Sequence, residues 1–410
     1  MRIRTRSLLL ACVAAVAGVQ AALAGTEGSF GASQAALKSA LAQYRAIASA
    51  GGWPAVPDGP ALREGSSGRA VLRLRQRLAV TGDLADRTGD SQAFDDGLAA
   101  AVMRFQARHG LAADGVVGWR TRGALNVPAE ARVRQIAASI ARLRALPHDN
   151  GGRFILVNVA GFDLTVFDDG RPLFRSPVIV GRTSRPTPIF SSAVTRIITN
   201  PYWRIPRGIA VQDILPKLKR DPSYLGAQSI RVYGTNQGGL TEVPGGSVNW
   251  RSLNKANFPY VLVQDPGPLN ALGRIKFFIP NELDVYLHDT PAQELFNHAT
   301  RAFSSGCIRI QRARDLAELL LRQDDGGRLQ AMENALEKGE TTEIPLAKAV
   351  PLHVAYLTAW TDEEGHVQFR DDVYALDGLT GAGPADVAGL RHDAGATACS
   401  ALANLGDIHY

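Results

Sequence analysis

The apolar positions of this chain change period once, and that change divides it. Between Ser33 and Ala48 the residues Leu37, Leu41, Tyr44 and Ile47 recur at helical spacing, and Gly51-Gly52-Trp53-Pro54 closes the element. Val71, Leu74 and Leu78 mark the inner face of a second predicted helix, and Leu98, Val102 and Phe105 that of a third. Val133, Ile136, Ile140, Leu143 and Leu146 line a longer one that ends at Pro147. Beyond it the period falls to two. Ile155, Val157 and Val159 alternate, then Phe162, Leu164 and Val166. Asp169-Gly170 has hairpin-turn chemistry, and the β pattern continues through Pro177–Gly181 and Ser192–Ile198. The predicted fold class is multidomain α plus mostly β, a helical N-terminal part followed by a β-rich domain.

Two stretches break that pattern. Residues 214–269 are rich in Gly, Pro and Asn, carry Lys217, Lys219, Arg220 and Arg251, and have little sustained periodicity. Such an insertion reads as a lid or binding loop, or as a plain surface excursion. Strand-like text returns over 350–376 with Tyr356, Leu357, Thr358 and Trp360, and the Ala/Gly-rich tail over 378–410 reads as a poorly ordered terminus. The predicted divisions are a scaffold helix and linker over 25–61, a small module over 62–126, a second scaffold helix over 127–150, the β domain over 151–340, and completing strands over 341–377.

The first residues are of another kind. Arg2, Arg4 and Arg6 precede an apolar run from Leu8 to Val19, and Ala22-Leu23-Ala24 offers a small-residue cleavage site. This predicts a secretory signal peptide over 1–24, too short to span a bilayer; Leu9-Leu10-Ala11-Cys12 offers a lipoprotein site as the alternative. Its removal takes away three arginines and no acidic residue, so the formal charge falls from +6 to +3. Across 410 residues an apolar content of 45% and a charged content of 20% are ordinary for a soluble protein, and nothing argues for nucleic-acid binding.

Candidate chemistry concentrates between Tyr286 and Ile310. A predicted strand ends at His288, Thr290-Pro291 with Gln293 has the form of a capped helix start, and Cys307 opens a strand through Ile308 and Ile310. A thiol beside an imidazole is the minimal apparatus for cysteine nucleophilic catalysis. His288 is the candidate base, and Asp289 is placed to orient it through its backbone carbonyl or its side chain, with a distant carboxylate as the alternative. Backbone N–H groups at Gly306 and Cys307 are candidate oxyanion donors, with the Tyr286 hydroxyl, two positions before His288, as a further one. If Cys12 leaves with the signal, Cys307 and Cys399 remain, and a disulfide between them is the plainer alternative. His109 and His298 read as ordinary surface or structural residues. A zinc peptidase reading of His288 with His298 lacks a third ligand, so neither metal nor other cofactor is expected.

Phe105-Gln106-x-x-His109-Gly110-Leu111-x-x-Asp114-Gly115-Val116-Val117-Gly118-x-x-Thr121 resembles the peptidoglycan-binding type 1 domain, a small three-helix module. Gly110 as a helix end and Asp114-Gly115 as a turn are equally what its fold alone requires. His288 with Ser304-x-Gly306-Cys307-x-Arg309 is similar to the L,D-transpeptidase (YkuD-type) catalytic domain. The flanking Arg185-Pro186-Thr187-Pro188, Asn200-Pro201-Tyr202-Trp203, Ile214–Lys217, Leu287–Pro291 and Gln368–Asp372 resemble its large periplasmic YcbB-like branch. The resemblance implies a capping subdomain over 214–269, Cys307 as nucleophile and His288 as base. Ser305 stands where the family usually has a second histidine. Ser304 and Ser305 are then loop or substrate-shaping groups, Arg309 orients a substrate carboxylate or the loop, and Tyr202 and Trp203 are candidate substrate contacts. The implied activity is cross-linking of diaminopimelate stems of peptidoglycan through a thioester, in a periplasmic monomer that carbapenems acylate. Hydrolysis of the same thioester, an L,D-carboxypeptidase, and a non-catalytic wall-binding protein are the alternatives.

Overall fold

The computed structural model describes residues 30–85, 90–147, 152–236, 239–322 and 326–378. The expected signal peptide, Cys12, Cys399 and the tail from 379 lie outside them. Among the described residues no helix is long and apolar enough to cross a membrane. The chain divides into two compact units, one of residues up to 153 with 166–173 and the stretch from 355, the other of 154–165 and 174–354.

The first unit is helical. Its elements are α1 (Phe30–Ser49), α2 (Arg69–Val80), α3 (Asp96–Arg108), α4 (Trp119–Leu125) and α5 (Ala129–Ala145). Each buries the apolar stripe its sequence lays out, and Val71, Leu74, Leu78, Leu98, Val102 and Phe105 share one core with Val117 and Leu125. The motif residues behind α3 are spent on this fold. Gln106 is buried; its amide donates to Asp114 Oδ1 at 2.8 Å and to the Val116 carbonyl at 3.0 Å, and its Oε1 accepts the Gly115 N–H at 2.9 Å. Gly115, with φ 73°, makes the turn that brings those groups together. His109 is buried and stacked on Phe105 at 3.8 Å, its Nδ1 at 2.7 Å from the Phe105 carbonyl, so it is structural as expected, though not a surface residue.

The second unit is built on a sheet of strands β1 (Phe154–Asn158), β2 (Asp163–Asp168), β3 (Arg171–Gly181), β4 (Phe190–Thr199), β9 (Ile275–Phe278), β10 (Leu287–His288), β11 (Ala302–Ser304), β12 (Ile308–Ile310) and β13 (Thr342–Ala355). Their order is β11-β3-β12-β10-β9-β4-β13-β1-β2, and β2 also pairs with β3, so the sheet closes into a barrel-like ring. Asp169 and Gly170, both at positive φ (48° and 76°), form the β2–β3 hairpin turn the sequence predicted. The ring runs past residue 340, since β13 fills the place between β4 and β1. The remaining strands, β14 (Ala359–Thr361) and β15 (Val367–Phe369), form a separate hairpin in the first unit.

The insertion is not the unpatterned loop its composition suggested. Strands β5 (Trp203–Ile205), β6 (Ile230–Asn236), β7 (Gly239–Val243) and β8 (Val261–Gln264) form a second sheet in the order β5-β8-β6-β7. With a helical run over 207–220 it encloses its own core of Ile214, Leu218, Val232, Trp250, Phe258 and Leu262. The subdomain thus begins at Trp203, before the expected 214. The helix expected after Thr290-Pro291 is a 3-10 turn, Gln293–Asn297, in which Gln293 Nε2 donates to the Thr290 carbonyl at 2.8 Å instead of closing a capping box.

Because the buried Gln106 side chain accepts the Gly115 N–H and donates to Asp114, Val116 and Thr121, truncation leaves that N–H without its acceptor and unties the turn from α3. Gln106→Ala is expected to cost about 2–4 kcal/mol. Amide hydrogen exchange over 62–125 measures it; unchanged protection there contradicts the assignment.

Candidate active site

Strand pairing assembles the site. β10 pairs in parallel with β12, Leu287 opposite Ile308 and His288 opposite Arg309, and the Ile308 N–H donates to the Tyr286 carbonyl at 3.1 Å. β10 pairs antiparallel with β9, Leu287 opposite Phe277 and His288 opposite Lys276. Opposed residues share a face and neighbours alternate. One face therefore carries Phe277, Leu287 and Ile308, all fully buried in the core. The other carries Tyr286, His288, Cys307, Arg309 and Lys276. A histidine and a cysteine nineteen positions apart meet because two short strands lie side by side, with Cys307 one register step before Arg309.

The nucleophile loop is pinned at every turn. Ser304, buried, donates its hydroxyl to the Cys307 carbonyl at 2.6 Å and accepts the Gly306 N–H at 3.1 Å. Gly306 has φ 119°, a conformation that side chains other than hydrogen seldom reach. Its carbonyl accepts the Thr187 hydroxyl at 2.8 Å, and Thr187 Oγ1 in turn accepts the Gly181 N–H at 2.8 Å. Gly181 must lack a side chain, since a Cβ there would lie 2.2 Å from the Arg185 carbonyl oxygen. The Arg185-Pro186-Thr187-Pro188 motif is thus a clamp on the loop before Cys307.

These bonds correct one expectation and select between two others. The Gly306 N–H is occupied by Ser304, so Cys307 N–H and the Tyr286 hydroxyl remain as the candidate oxyanion donors. Ser304 is a buried brace of the loop, the first of the two roles expected for it. Ser305 differs: its hydroxyl accepts from Arg185 Nη1 at 2.9 Å, and Arg185 in turn donates to Asp213 at 2.5 Å. Asp213 belongs to the helical run of the insertion, so the residue in the second-histidine position ties the nucleophile loop to that subdomain.

His288 is buried, and its Nδ1 lies 2.5 Å from the Asp289 backbone carbonyl. That contact fixes the tautomer with the proton on Nδ1, leaving Nε2 as the acceptor. The Asp289 carboxylate does not orient the ring; its Oδ2 accepts the Arg274 N–H at 2.9 Å, under Gly273, whose φ of 62° lets the chain pass over it. Burial first, then the Arg309 and Lys276 charges, push the His288 pKa down to about 3. Burial also raises the Cys307 thiol, against the opposing pull of the Tyr286 amide and hydroxyl and of the Lys276 and Arg309 charges. At rest the thiol and the imidazole on this face are both neutral.

Cys307 is half-buried, and the Asp284 carbonyl lies 3.8 Å from its sulfur. The Tyr286 hydroxyl is in hydrogen-bonding contact with Cys307 and with the Trp203 side chain at the start of the insertion. Tyr202, beside it, lies under the Arg231 guanidinium at 5.7 Å. The Arg309 Nε is buried with no hydrogen-bond partner, and no carboxylate of the described residues pairs with its guanidinium. His298 lies on the surface, edge-on to Phe303 at 5.3 Å, apart from this constellation. The one grouping of three metal-type ligands among the described residues is a surface set on the β14–β15 hairpin, half-buried Asp362 with exposed Glu364 and His366. The signal that the sequence reading missed is Lys276, whose place opposite His288 depends on register alone.

Comparison with known proteins follows the same lines. Residues 152–340 match the L,D-transpeptidase catalytic domain, and residues 67–125 match the family described as "Putative peptidoglycan binding domain". Residues 152–340 thus resemble an L,D-transpeptidase catalytic domain, and residues 67–125 before them resemble a peptidoglycan-binding module. A "Putative L,D-transpeptidase" of Haemophilus influenzae is 36% identical over 245 residues, 60% of this chain and 48% of that protein. The chain thus spans about half the length of this curated relative. Among solved structures, an L,D-transpeptidase of Xylanimonas cellulosilytica is 16% identical over 73% of this chain and 99% of that one, with a TM-score of 0.22. One from Stackebrandtia nassauensis is 14% identical over 73% and 96%, with a TM-score of 0.27.

A histidine held near pKa 3 when folded and about 6.5 when unfolded binds a proton in the unfolded chain that the folded one refuses. Stability from this residue is therefore present above 6.5 and lost as pH falls from there toward 3. The difference in unfolding free energy between wild type and His288→Gln is expected to grow with pH over that window. Parallel pH dependences for the two proteins contradict a buried neutral imidazole.

Proposed function

We propose that this protein is a peptidoglycan L,D-transpeptidase of the YcbB-like branch, acting as a monomer in the periplasm after export. The Cys307 sulfur attacks the carbonyl of the L-centre of diaminopimelate in a tetrapeptide stem. His288 Nε2 accepts the thiol proton as the bond forms and returns it to the leaving amine, so that D-Ala departs and a thioester remains. The side-chain amine of a second stem then attacks the thioester. His288 takes up its proton and delivers it to the sulfur, which regenerates the thiol and leaves a diaminopimelate-to-diaminopimelate bond.

The observation that carries this reading is the shared face of Tyr286, Cys307, His288 and Arg309 across two paired strands. An imidazole with a low pKa enters each half-reaction unprotonated, able to accept the thiol proton in the first and the amine proton in the second, and it gives each up readily. Cys307 N–H and the Tyr286 hydroxyl receive the oxyanion; losing one such donor costs on the order of a hundredfold in rate. Arg309, with its free guanidinium, orients a stem carboxylate, a geometry its planar fork suits. The insertion supports a cap over the donor stem, with Trp203, Tyr202 and Ser305 along its edge, and the 67–125 module holds the glycan strand. A carbapenem, as a strained mimic of the donor amide, acylates the same sulfur.

The product mixture decides the reaction type. Incubation with an unlabelled tetrapeptide donor and an isotope-labelled acceptor stem is expected to give a labelled cross-linked dimer and free D-Ala. Release of D-Ala with only tripeptide formed would make the protein an L,D-carboxypeptidase. No D-Ala release at all would leave a wall-binding protein without catalysis.

A further inference from the structure

Lys276 is a half-buried cation that the chemistry above does not use. It lies on β9 directly opposite His288, on the face that carries Cys307, and its Nζ sits 4.1 Å from the centroid of the Tyr286 ring. The Tyr286 hydroxyl reaches the Cys307 sulfur. No carboxylate of the described residues lies within ion-pairing distance of Lys276. On β4 the residue opposite it is Ile198; Arg196, two positions along, stacks over Phe278 at 3.7 Å and is paired with Glu343 on β13 at 3.0 Å, so that cation is neutralised. On β12 the charged neighbour is Arg309, on β10 the titratable ones are Tyr286 and His288, and the Asp284 side chain acts from the loop before β10. An ammonium without an acid beside it, held over an aromatic ring by the attraction of its π face, is a costly arrangement to bury. The ring it sits on is the one whose hydroxyl reaches the sulfur.

We propose that Lys276 is a positioning residue that supplies the fixed positive charge for the Cys307 thiolate, acting through the Tyr286 ring and hydroxyl, while His288 supplies only proton transfer. In a papain-like pair one imidazolium does both jobs, stabilising the thiolate and moving the proton. Here burial first, and the same two cations after it, keep the imidazole neutral, so the charge must come from groups that do not give up their proton during turnover. Arg309 flanks the row on one side and Lys276 on the other. The division leaves His288 free to accept a proton from the incoming amine at the moment the thioester is attacked.

The proposal rests on Cys307 being the nucleophile, but its test needs no substrate. Alkylation of Cys307 by iodoacetamide, followed by mass spectrometry of the peptide that contains it, reads the thiolate fraction against pH in the full chain. Lys276→Met, whose unbranched stem keeps the contact with the Tyr286 ring, is expected to move the midpoint up by about one pH unit or more and to slow alkylation at pH 7 about tenfold. Lys276→Arg is expected to restore the wild-type profile. Should the Met variant fail to fold by circular dichroism, Lys276→Gln carries the same comparison. A folded variant without the charge whose midpoint matches wild type overturns the proposal, as does an Arg variant that shifts as far as Met. Failure of the transpeptidase reading would appear in the stem products instead, with the alkylation profiles unaffected.

Discussion

The site depends on one pairing, the parallel contact of β10 with β12. Each strand contributes two or three residues, and neither could hold a conformation alone. They are fixed because Leu287 and Ile308 are drawn into a barrel core with Phe277, and a slip of one residue would turn that apolar set outward and the catalytic set inward. Core packing thus sets the register, and the register brings Cys307, Tyr286, His288 and Arg309 to one surface. The clamp of Thr187, Ser304 and Gly306 then sets the sulfur's height above it, with bonds of 2.6–3.1 Å.

Burial makes this surface chemically unusual. A thiol and an imidazole removed from water both favour their neutral forms, and two unpaired cations in the same row push in opposite directions on the two groups. The cations ease the thiolate and oppose the imidazolium. A site of this kind holds its thiol and base uncharged at rest and develops negative charge during attack, where fixed positive groups have most effect.

Much of this was legible in the residues. Helical and strand periods separated the two parts, Asp169-Gly170 marked its hairpin, and His288 with Cys307 stood out for their chemistry. The insertion misled because its strands are short, pair in the order β5-β8-β6-β7 and bury a core drawn from distant segments, so no local period announces them. The Gly306 amide looked available because nothing in a sequence says that a serine two positions earlier folds back to bind it. Lys276 was invisible for a related reason: Ile275-Lys276-Phe277 is an ordinary alternating strand until its partner strand is known. The domain matches agree with the motifs that pointed to them, while the YcbB-like branch stands on the flanking residues alone.

The central claim is that Cys307, served by a neutral His288, is the acyl acceptor. Intact-mass analysis after exposure to a carbapenem tests it most directly. The account predicts one adduct per chain on wild type, located on the Cys307 peptide, none on Cys307→Ala, and slowed formation on His288→Ala. No adduct on the wild-type protein, or an adduct that persists in Cys307→Ala, would contradict it.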